Sequence, residues 1–341
     1  MTSIPAKMLA VQLLAYDGNP ASLDVAEIAV PRPGQGEVLV RMHASPINPS
    51  DTLFMRGLYG FKKSLPAIPG FEGSGTVVAA GSGLLPALFN GRRVACAAAD
   101  ANVTSGTWAE YMVTSARLCV PLRKQVGMES GATMLVNPLM AWALMDEARR
   151  GRHRAVVQTA AASALGKMVI RLGRRFAIPV INVVRRAEQV RVLQEMGAED
   201  ILDSSTAEFD TALLDRCHRL GATIGFDAVA GDMSGRILRA QPKGSRLIVY
   251  GLLSHAPVQV DVDPLIFERK SVEGLYLTDW MRDRNMVRQL RVAGQVQHLL
   301  GSDLQTQIQA RYPLEHVAKA LQHYERHMTA GKVLLTPIED G

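Results

Sequence analysis

Between Arg154 and Thr278 six short apolar runs alternate with four helical segments. The runs are "RAVVQT" (154–159), "IPVINVV" (178–184), "DILDS" (200–204), "ATIGFDAVAG" (222–231), "SRLIVYGLL" (245–253) and "SVEGLYLT" (271–278). Helical periodicity fills the gaps in "SALGKMVIRLGRRF" (163–176), "AEQVRVLQEMG" (187–197), the segment around "FDTALLDRCHRL" (209–220) and "MSGRILRAQ" (233–241). In the first of these, Leu165, Met168, Val169, Leu172 and Phe176 fall on one face. Strands that alternate with helices run parallel, so this stretch predicts a doubly wound parallel sheet of the Rossmann type.

The rest of the chain has another texture. Up to about Pro121, short β-type runs are punctuated by Gly and Pro: "MLAVQLLAY" (8–16), "GEVLVRMHAS" (36–45), "GSGTVVAAG" (73–81), "GRRVACAAA" (91–99) and "AEYMVT" (109–114). They predict an irregular, mostly antiparallel β domain. "MESGATMLVNPLMAWALMDEARR" (128–150) reads as a helix interrupted at Pro138. From about Met281 a helical stretch leads back to a final run, "GKVLLTP" (331–337), that completes the first domain. With 341 residues, two domains are expected. Their predicted limits are 1–122 with 283–341, and 123–282.

Bulk properties narrow the function classes. The net charge of +6 is mild, and no basic stripe interleaved with aromatics argues for nucleic acid. Cys96, Cys119 and Cys217 are the only cysteines, and none stands at C-x-x-C spacing. Neither a disulfide framework nor a cysteine zinc knuckle can be built from them, and a reducing cytoplasm fits. "KMLAVQLLAYDG" is too polar for a signal peptide's apolar core. The most apolar long segment, 131–145, contains Asn137 and Pro138 and is shorter than a membrane span. A soluble protein without nucleic-acid or membrane partners is expected.

The turn "QTAAASALG" (158–166) stands where a strand hands over to a helix. Such a turn aims backbone N–H groups and the positive end of a helix dipole at a pyrophosphate. The usual glycines are replaced by alanine and serine except at Gly166, where helix and strand pack tightly. Small residues serve if the turn keeps ordinary dihedral angles, and Ser163 adds a hydroxyl. The motif alone is equally compatible with an ordinary βα turn that binds nothing. The second strand says more. Where an NAD enzyme places an acid on the ribose, about twenty residues on, this chain has Arg185 and Arg186. A guanidinium fork matches a 2′-phosphate that an acid would repel, so NADPH is the predicted cofactor.

The ordered motifs "INPSD" (47–51), "GLYG" (57–60), "PAIPGFEGSGTVVAAG" (66–81), "GTWAEYMV" (106–113), "NPLMAWALM" (137–145), "QTAAASALGKMVIRL" (158–172), "GAEDILD" (197–203), "YGLLS" (250–254) and "GKVLLTP" resemble the medium-chain dehydrogenase/reductase superfamily over nearly the whole chain. The resemblance implies a β-rich GroES-like catalytic domain beside the Rossmann domain, a homodimer, and a small-molecule substrate in the cleft between domains. Within the superfamily the chain looks zinc-free. "SPINPSD" has no cysteine where alcohol dehydrogenases place one on zinc, and three cysteines cannot form their four-cysteine lobe. Two zinc-free branches are similar. The 2-enoyl thioester reductases share the turn, "INVVRR", "VNPLMAW" and "LYLTDW" (275–280); the quinone oxidoreductases, zeta-crystallin among them, share "NPSD", "PGFEGSG" and "GKVLLTP". The chain departs from both at Ala164, where no glycine stands. It also shows Thr159 and Ala160 instead of the enoyl reductases' first asparagine.

The resemblance implies the site residues. Without a metal the acceptor must be an electron-poor carbon conjugated to a carbonyl, in an enoyl thioester, an enone or a quinone, and a donor must meet the oxyanion that grows there. Tyr59 stands where enoyl thioester reductases carry their active-site tyrosine; it donates or protonates, or else only packs. Asn48 is a positioning amide, or else an Asx-turn before Pro49. Trp108 lines the cleft or fills the core. Cofactor contacts are carried onto Asn137, Ala162, Ser163, Ala164, Leu165 and Gly166, onto Tyr250, Gly251 and Leu252 at the end of the fifth strand, onto Leu275, Tyr276 and Leu277 at the end of the sixth, and onto Lys332. Local packing is the alternative for each. A non-catalytic, crystallin-like NADPH-binding protein is the reading from another class. His316, His323 and His327 share a helix face opposite Leu314, Val317, Ala318, Leu321 and Met328, so they are expected in solvent and not on a metal.

Overall fold

A computed structural model describes residues 4–98 and 105–337. Ala99, the last residue of one predicted β run, lies outside the described residues. The chain divides into two compact units. One comprises Met1–Val136, Ala293–Leu300 and Gln305–Gly341; the other comprises Asn137–Val292 and Gly301–Leu304. Both boundaries fall later than those read from the sequence. The short helix Met128–Ala132 belongs to the first unit, where Ser74 Oγ donates to the Met128 carbonyl at 2.7 Å. The Arg123 N–H bonds Gln297 Oε1 at 2.9 Å within the same unit.

The second unit holds six parallel strands: Ala155–Gln158, Val180–Val184, Ile201–Asp203, Ala222–Asp227, Arg246–Val249 and Ser271–Gly274. Numbered in chain order, they lie third, second, first, fourth, fifth, sixth across the sheet. The strand order reverses between the first and fourth strands, the crevice where such folds take ligands. Helix Ala164–Phe176 buries Leu165, Met168, Val169 and Leu172, as its periodicity requires, and Phe176 meets Trp142 edge-on at 5.7 Å. Three strands are markedly shorter than the runs that predict them: the fourth ends at Asp227. The fifth ends at Val249, and the sixth ends at Gly274, after which the chain turns into helix Leu277–Arg282. Pro138 does not interrupt a helix. It sits in the first turn of helix Asn137–Arg150, where its missing N–H costs nothing.

In the first unit, strand Glu37–Pro46 pairs antiparallel with Glu72–Ala80, Tyr111–Ser115 and Lys332–Leu335. The C-terminal run thus completes this unit's sheet. Arg93–Ala97, Cys119–Pro121 and Ile308–Tyr312 extend it, while Lys7–Leu13 and Leu23–Ala29 form a separate hairpin. Strands Leu23–Ala29, Cys119–Pro121 and Ile308–Tyr312 were not read from the sequence. The first and last of them bury no residue fully.

The histidine-bearing segment is a 3-10 turn, Leu314–His316, followed by helix Val317–Arg326. Its buried face is Leu314, Val317, Ala320, Leu321 and Tyr324; Ala318 and Met328 are exposed, against expectation. His327 lies past the helix end, and His323 Nδ1 shares a 2.9 Å hydrogen bond with the Tyr312 hydroxyl. Among the described residues no helix is long and apolar enough to cross a membrane.

Candidate active site

The nucleotide turn is built from short side chains around one close backbone approach. Ser163 caps helix Ala164–Phe176, its Oγ accepting the Gly166 N–H at 3.1 Å. The Ser163 N–H bonds the Ala160 carbonyl at 2.9 Å, which leaves the N–H groups of Ala164 and Leu165 as the orphan donors of the first turn. A Cβ on Gly166 would stand 2.7 Å from the Cα of Ala161, so only glycine fits. Ala161, Ala162 and Leu165 are buried, and Ala164 is half-buried. The turn does not keep ordinary dihedral angles throughout: Ala160 has φ 48°, the left-handed region that favours glycine. Beneath the turn, buried Gln158 donates to the Gly166 carbonyl at 3.0 Å and to Asn182 Oδ1 at 2.8 Å.

Arg185 and Arg186 follow the second strand directly and are exposed. Arg186 is the N-cap residue of helix Ala187–Glu195, and the Arg185 N–H is held by Gln189 Oε1 at 3.1 Å. No carboxylate among the described residues pairs with either guanidinium. Sequence reasoning passed over Lys167, whose half-buried ammonium stands in the first helical turn; burial pushes its pKa down and Arg171 adds to that.

Tyr250, Gly251 and Leu252 lie just past the fifth strand, and Leu275 and Tyr276 just past the sixth; Leu277 is the first residue of the next helix. The Tyr250 N–H bonds the Asp227 carbonyl at 2.9 Å, and burial, helped by the Asp227 charge, raises its hydroxyl pKa. A Cβ on Gly251 would lie 2.9 Å from the Ala228 Cα. Asp227 itself was missed. Fully buried, it accepts from Thr159 Oγ1 at 2.8 Å, from Ser234 Oγ at 2.6 Å, and from the N–H groups of Val229 and Ala230. It ties the first and fourth strands together at the switch point. An acid ending the apolar strand "IGFD" was its sequence signal. Asn137 is buried as the first residue of helix Asn137–Arg150.

In the first unit Asn48 and Lys332 come together, in a place the sequence reading did not foresee. Both are buried, with Asp51 and Glu72, in one polar cluster. Asn48 Nδ2 donates to Glu72 Oε1 at 2.9 Å, and Lys332 Nζ donates to Asn48 Oδ1 and to the Ile47 carbonyl. Glu72 Oε2 accepts from the N–H groups of Leu135 and Val136, each at 2.9 Å. Asp51 Oδ2 accepts the Asn48 N–H at 2.7 Å. Burial pushes Asp51 up to about 7 and raises Glu72 too, while it lowers Lys332 against the pull of both acids. The amide and the ammonium are therefore consumed inside the unit. Asn48 and Lys332 are thus members of this cluster.

Tyr59 stands apart from the cluster, half-buried, stacked on Phe71 at 4.5 Å with Phe61 edge-on at 5.2 Å. Trp108 is wholly enclosed, at 0% exposure, with Phe54 and Phe71 in the core. It fills the core and lines no accessible cleft.

A structural or catalytic zinc needs a convergent set of thiolates, imidazoles or carboxylates. Among the described residues no group of three or more His, Cys, Asp or Glu is so placed. The two buried carboxylates that do converge, Asp51 and Glu72, already face the Lys332 ammonium and backbone N–H groups. These residues do not fit zinc. The small-residue turn, the helix N-terminus and the two free guanidinium groups do fit a phosphorylated dinucleotide.

Comparison with known proteins agrees with this architecture. The family model for the alcohol dehydrogenase GroES-like domain matches residues 34–124, and the zinc-binding dehydrogenase model matches residues 164–291. The chain is 30% identical over 292 residues to mitochondrial enoyl-[acyl-carrier-protein] reductase of Homo sapiens, covering 82% of this chain and 75% of that protein. A Mesorhizobium loti structure named as an NADPH:quinone reductase superposes with TM-score 0.91 at 33% identity, covering 98% of this chain and all of that one, 100%. A mycobacterial structure complexed with NADPH has TM-score 0.82 at 26% identity, over 97% of this chain and 100% of that one.

Proposed function

The chain belongs to the medium-chain dehydrogenase/reductase superfamily and is an oxidoreductase, and from that premise we propose that it is a zinc-independent, NADPH-dependent reductase of activated C=C bonds, acting on enoyl thioesters. The observation that carries this reading is the lysine-filled carboxylate cluster. Asp51 and Glu72 are engaged by Asn48 beside the Lys332 ammonium, a donor set that does not suit a metal ion, and an acceptor that is electron-poor already needs none.

Bound NADPH supplies the hydride. The residues of the chain do the rest. The first-turn N–H groups after Ser163 meet the pyrophosphate, and Arg185 and Arg186 clamp the 2′-phosphate. The Tyr59 hydroxyl donates to the carbonyl oxygen as hydride addition at the β-carbon places charge on it, and a proton completes the reduction at the α-carbon. A second reading, reduction of quinones, is favoured by the likeness to the Mesorhizobium loti protein.

The deciding experiment follows NADPH absorbance with crotonyl-CoA and with phenanthrenequinone. Consumption with the thioester alone supports the first reading. Consumption with the quinone alone replaces it with the second, and no consumption with either overturns both. We also propose a homodimer. The sixth strand, Ser271–Gly274, is an exposed sheet edge, and Val262, Ile266 and Phe267 beside it are exposed apolar groups, Phe267 at 70%.

A further inference from the structure

We propose that Glu72 is a positioning residue of the reaction, holding Tyr59 through Phe71 and the helix that starts at Asn48, with Lys332 as its internal counter-cation. This rests on the reading in which Tyr59 acts on substrate.

Two chains of contact run from Glu72 toward Tyr59. The first is covalent and aromatic. Phe71 precedes Glu72 directly, and the Tyr59 ring stacks on the Phe71 ring at 4.5 Å with planes 28° apart. The second runs through the helix. Glu72 Oε1 holds the Asn48 amide, Asn48 precedes helix Pro49–Met55, and the Leu58 N–H bonds back to the Leu53 carbonyl at 2.9 Å. Tyr59 is the next residue. Asp51 in that helix accepts the Asn48 N–H at 2.7 Å, which fixes the start of the helix. The other Glu72 oxygen takes the N–H groups of Leu135 and Val136.

Two segments besides its own strand thus meet on one carboxylate that no solvent reaches, and Lys332 joins them through Asn48 Oδ1. Such a carboxylate is costly to bury: burial raises its pKa, and the Lys332 ammonium, bonded to Asn48 Oδ1, pulls the other way. Apolar packing would hold the same strands with less cost. What packing does not supply is a directional bond that sets the angle of the Asn48 helix, and an active-site hydroxyl misplaced by about 1 Å loses about a hundredfold in rate.

The test compares Glu72→Gln, the double variant Glu72→Gln/Lys332→Met, and Phe71→Leu. Glutamine accepts at one end only: with its oxygen on Asn48 Nδ2 the Leu135 and Val136 N–H groups are released, and with its oxygen on them the Asn48 amide is released. The expected result is a fall in kcat of about tenfold or more with crotonyl-CoA, with unchanged KM for NADPH and faster amide exchange at Leu135 and Val136. Removing both charges restores Tm in the double variant without restoring kcat. Phe71→Leu, which leaves the charges alone, lowers kcat in the same way. A double variant with wild-type kcat, or a folded Glu72→Gln with wild-type kcat and wild-type exchange, overturns the proposal. Amide exchange reads the frame without any substrate. Wild-type protein inert toward every acceptor would defeat the functional reading, and the exchange result would still decide whether Glu72 orders these segments.

Discussion

A Cβ placed on Gly166 would come within 2.7 Å of the Ala161 Cα, and the atoms it meets are backbone. Nothing there can swing aside. Gly166→Ala therefore pushes the turn away from the helix, at a cost of about 1–3 kcal/mol. It also moves the first-turn N–H groups proposed to meet the pyrophosphate. NADPH affinity measured by fluorescence titration should fall together with Tm. Wild-type affinity in this variant would show that the turn does not carry the coenzyme.

Six residues earlier the strain has the opposite remedy. Ala160 holds φ 48°, a conformation that costs an L-residue roughly 1–2 kcal/mol. Glycine adopts it freely and loses about 0.5–1 kcal/mol in chain entropy. Ala160→Gly should therefore raise Tm, by about 2 °C, in a calorimetric scan. A drop in Tm would mean that the alanine methyl contributes more by packing than its backbone costs.

These two alanines mark the limit of what the chain discloses before folding. The apolar stripe of helix Ala164–Phe176, the strand–helix alternation and the return of "GKVLLTP" to the first unit are local or periodic signals, and each is realised. Gly166 was legible too, because its neighbours leave one position where backbones must touch. Local pattern does not report a backbone dihedral at Ala160. It reports still less of the Lys332–Asn48 bond, whose partners are separated by 284 residues. Lys332 in "GKVLL" reads as a cofactor contact or as local packing, and only the folded sheet brings it to two buried acids. Asp227 was hidden for the same reason, and Trp108 was left between cleft and core: burial is decided by distant elements.

Arg185 and Arg186 stand exposed at the end of the second strand with no acid beside them in sequence. If they clamp a 2′-phosphate, Arg185→Ala/Arg186→Ala loses charge-assisted hydrogen bonds worth about 2 kcal/mol, roughly thirtyfold in KM for NADPH. NADH lacks that phosphate, so its KM should hardly change. Steady-state kinetics with both coenzymes decides, and equal effects on the two would remove the assignment.

The buried cluster makes stability depend on pH in a definite direction. Burial raises Asp51 from 3.8 to about 7, so the folded chain holds a proton that the unfolded chain releases near pH 4. Stability from this group is full below the unfolded value and declines as pH climbs to the folded one, about 7. Glu72 is shifted the same way. Tm should fall between pH 4 and pH 7, and Asp51→Asn, which cannot ionise, should flatten that fall. An unchanged slope in the variant would place the dependence elsewhere.

Tyr59 offers the sharpest separation of packing from chemistry. Its ring rests on Phe71 and against Phe61, so Tyr59→Phe keeps both aromatic contacts and removes only the hydroxyl. Ring stacking is then nearly constant, and Tm should move little. If the hydroxyl meets the growing oxyanion, kcat with crotonyl-CoA drops about a hundredfold. In the proposed reading the turn at Gly166 holds the coenzyme, so the NADPH dissociation constant should stay as it was. Loss of kcat with intact Tm and intact NADPH binding assigns the hydroxyl to the reaction. Unaltered kcat returns Tyr59 to the aromatic wall it helps to build, and the oxyanion must then find its donor in another side chain.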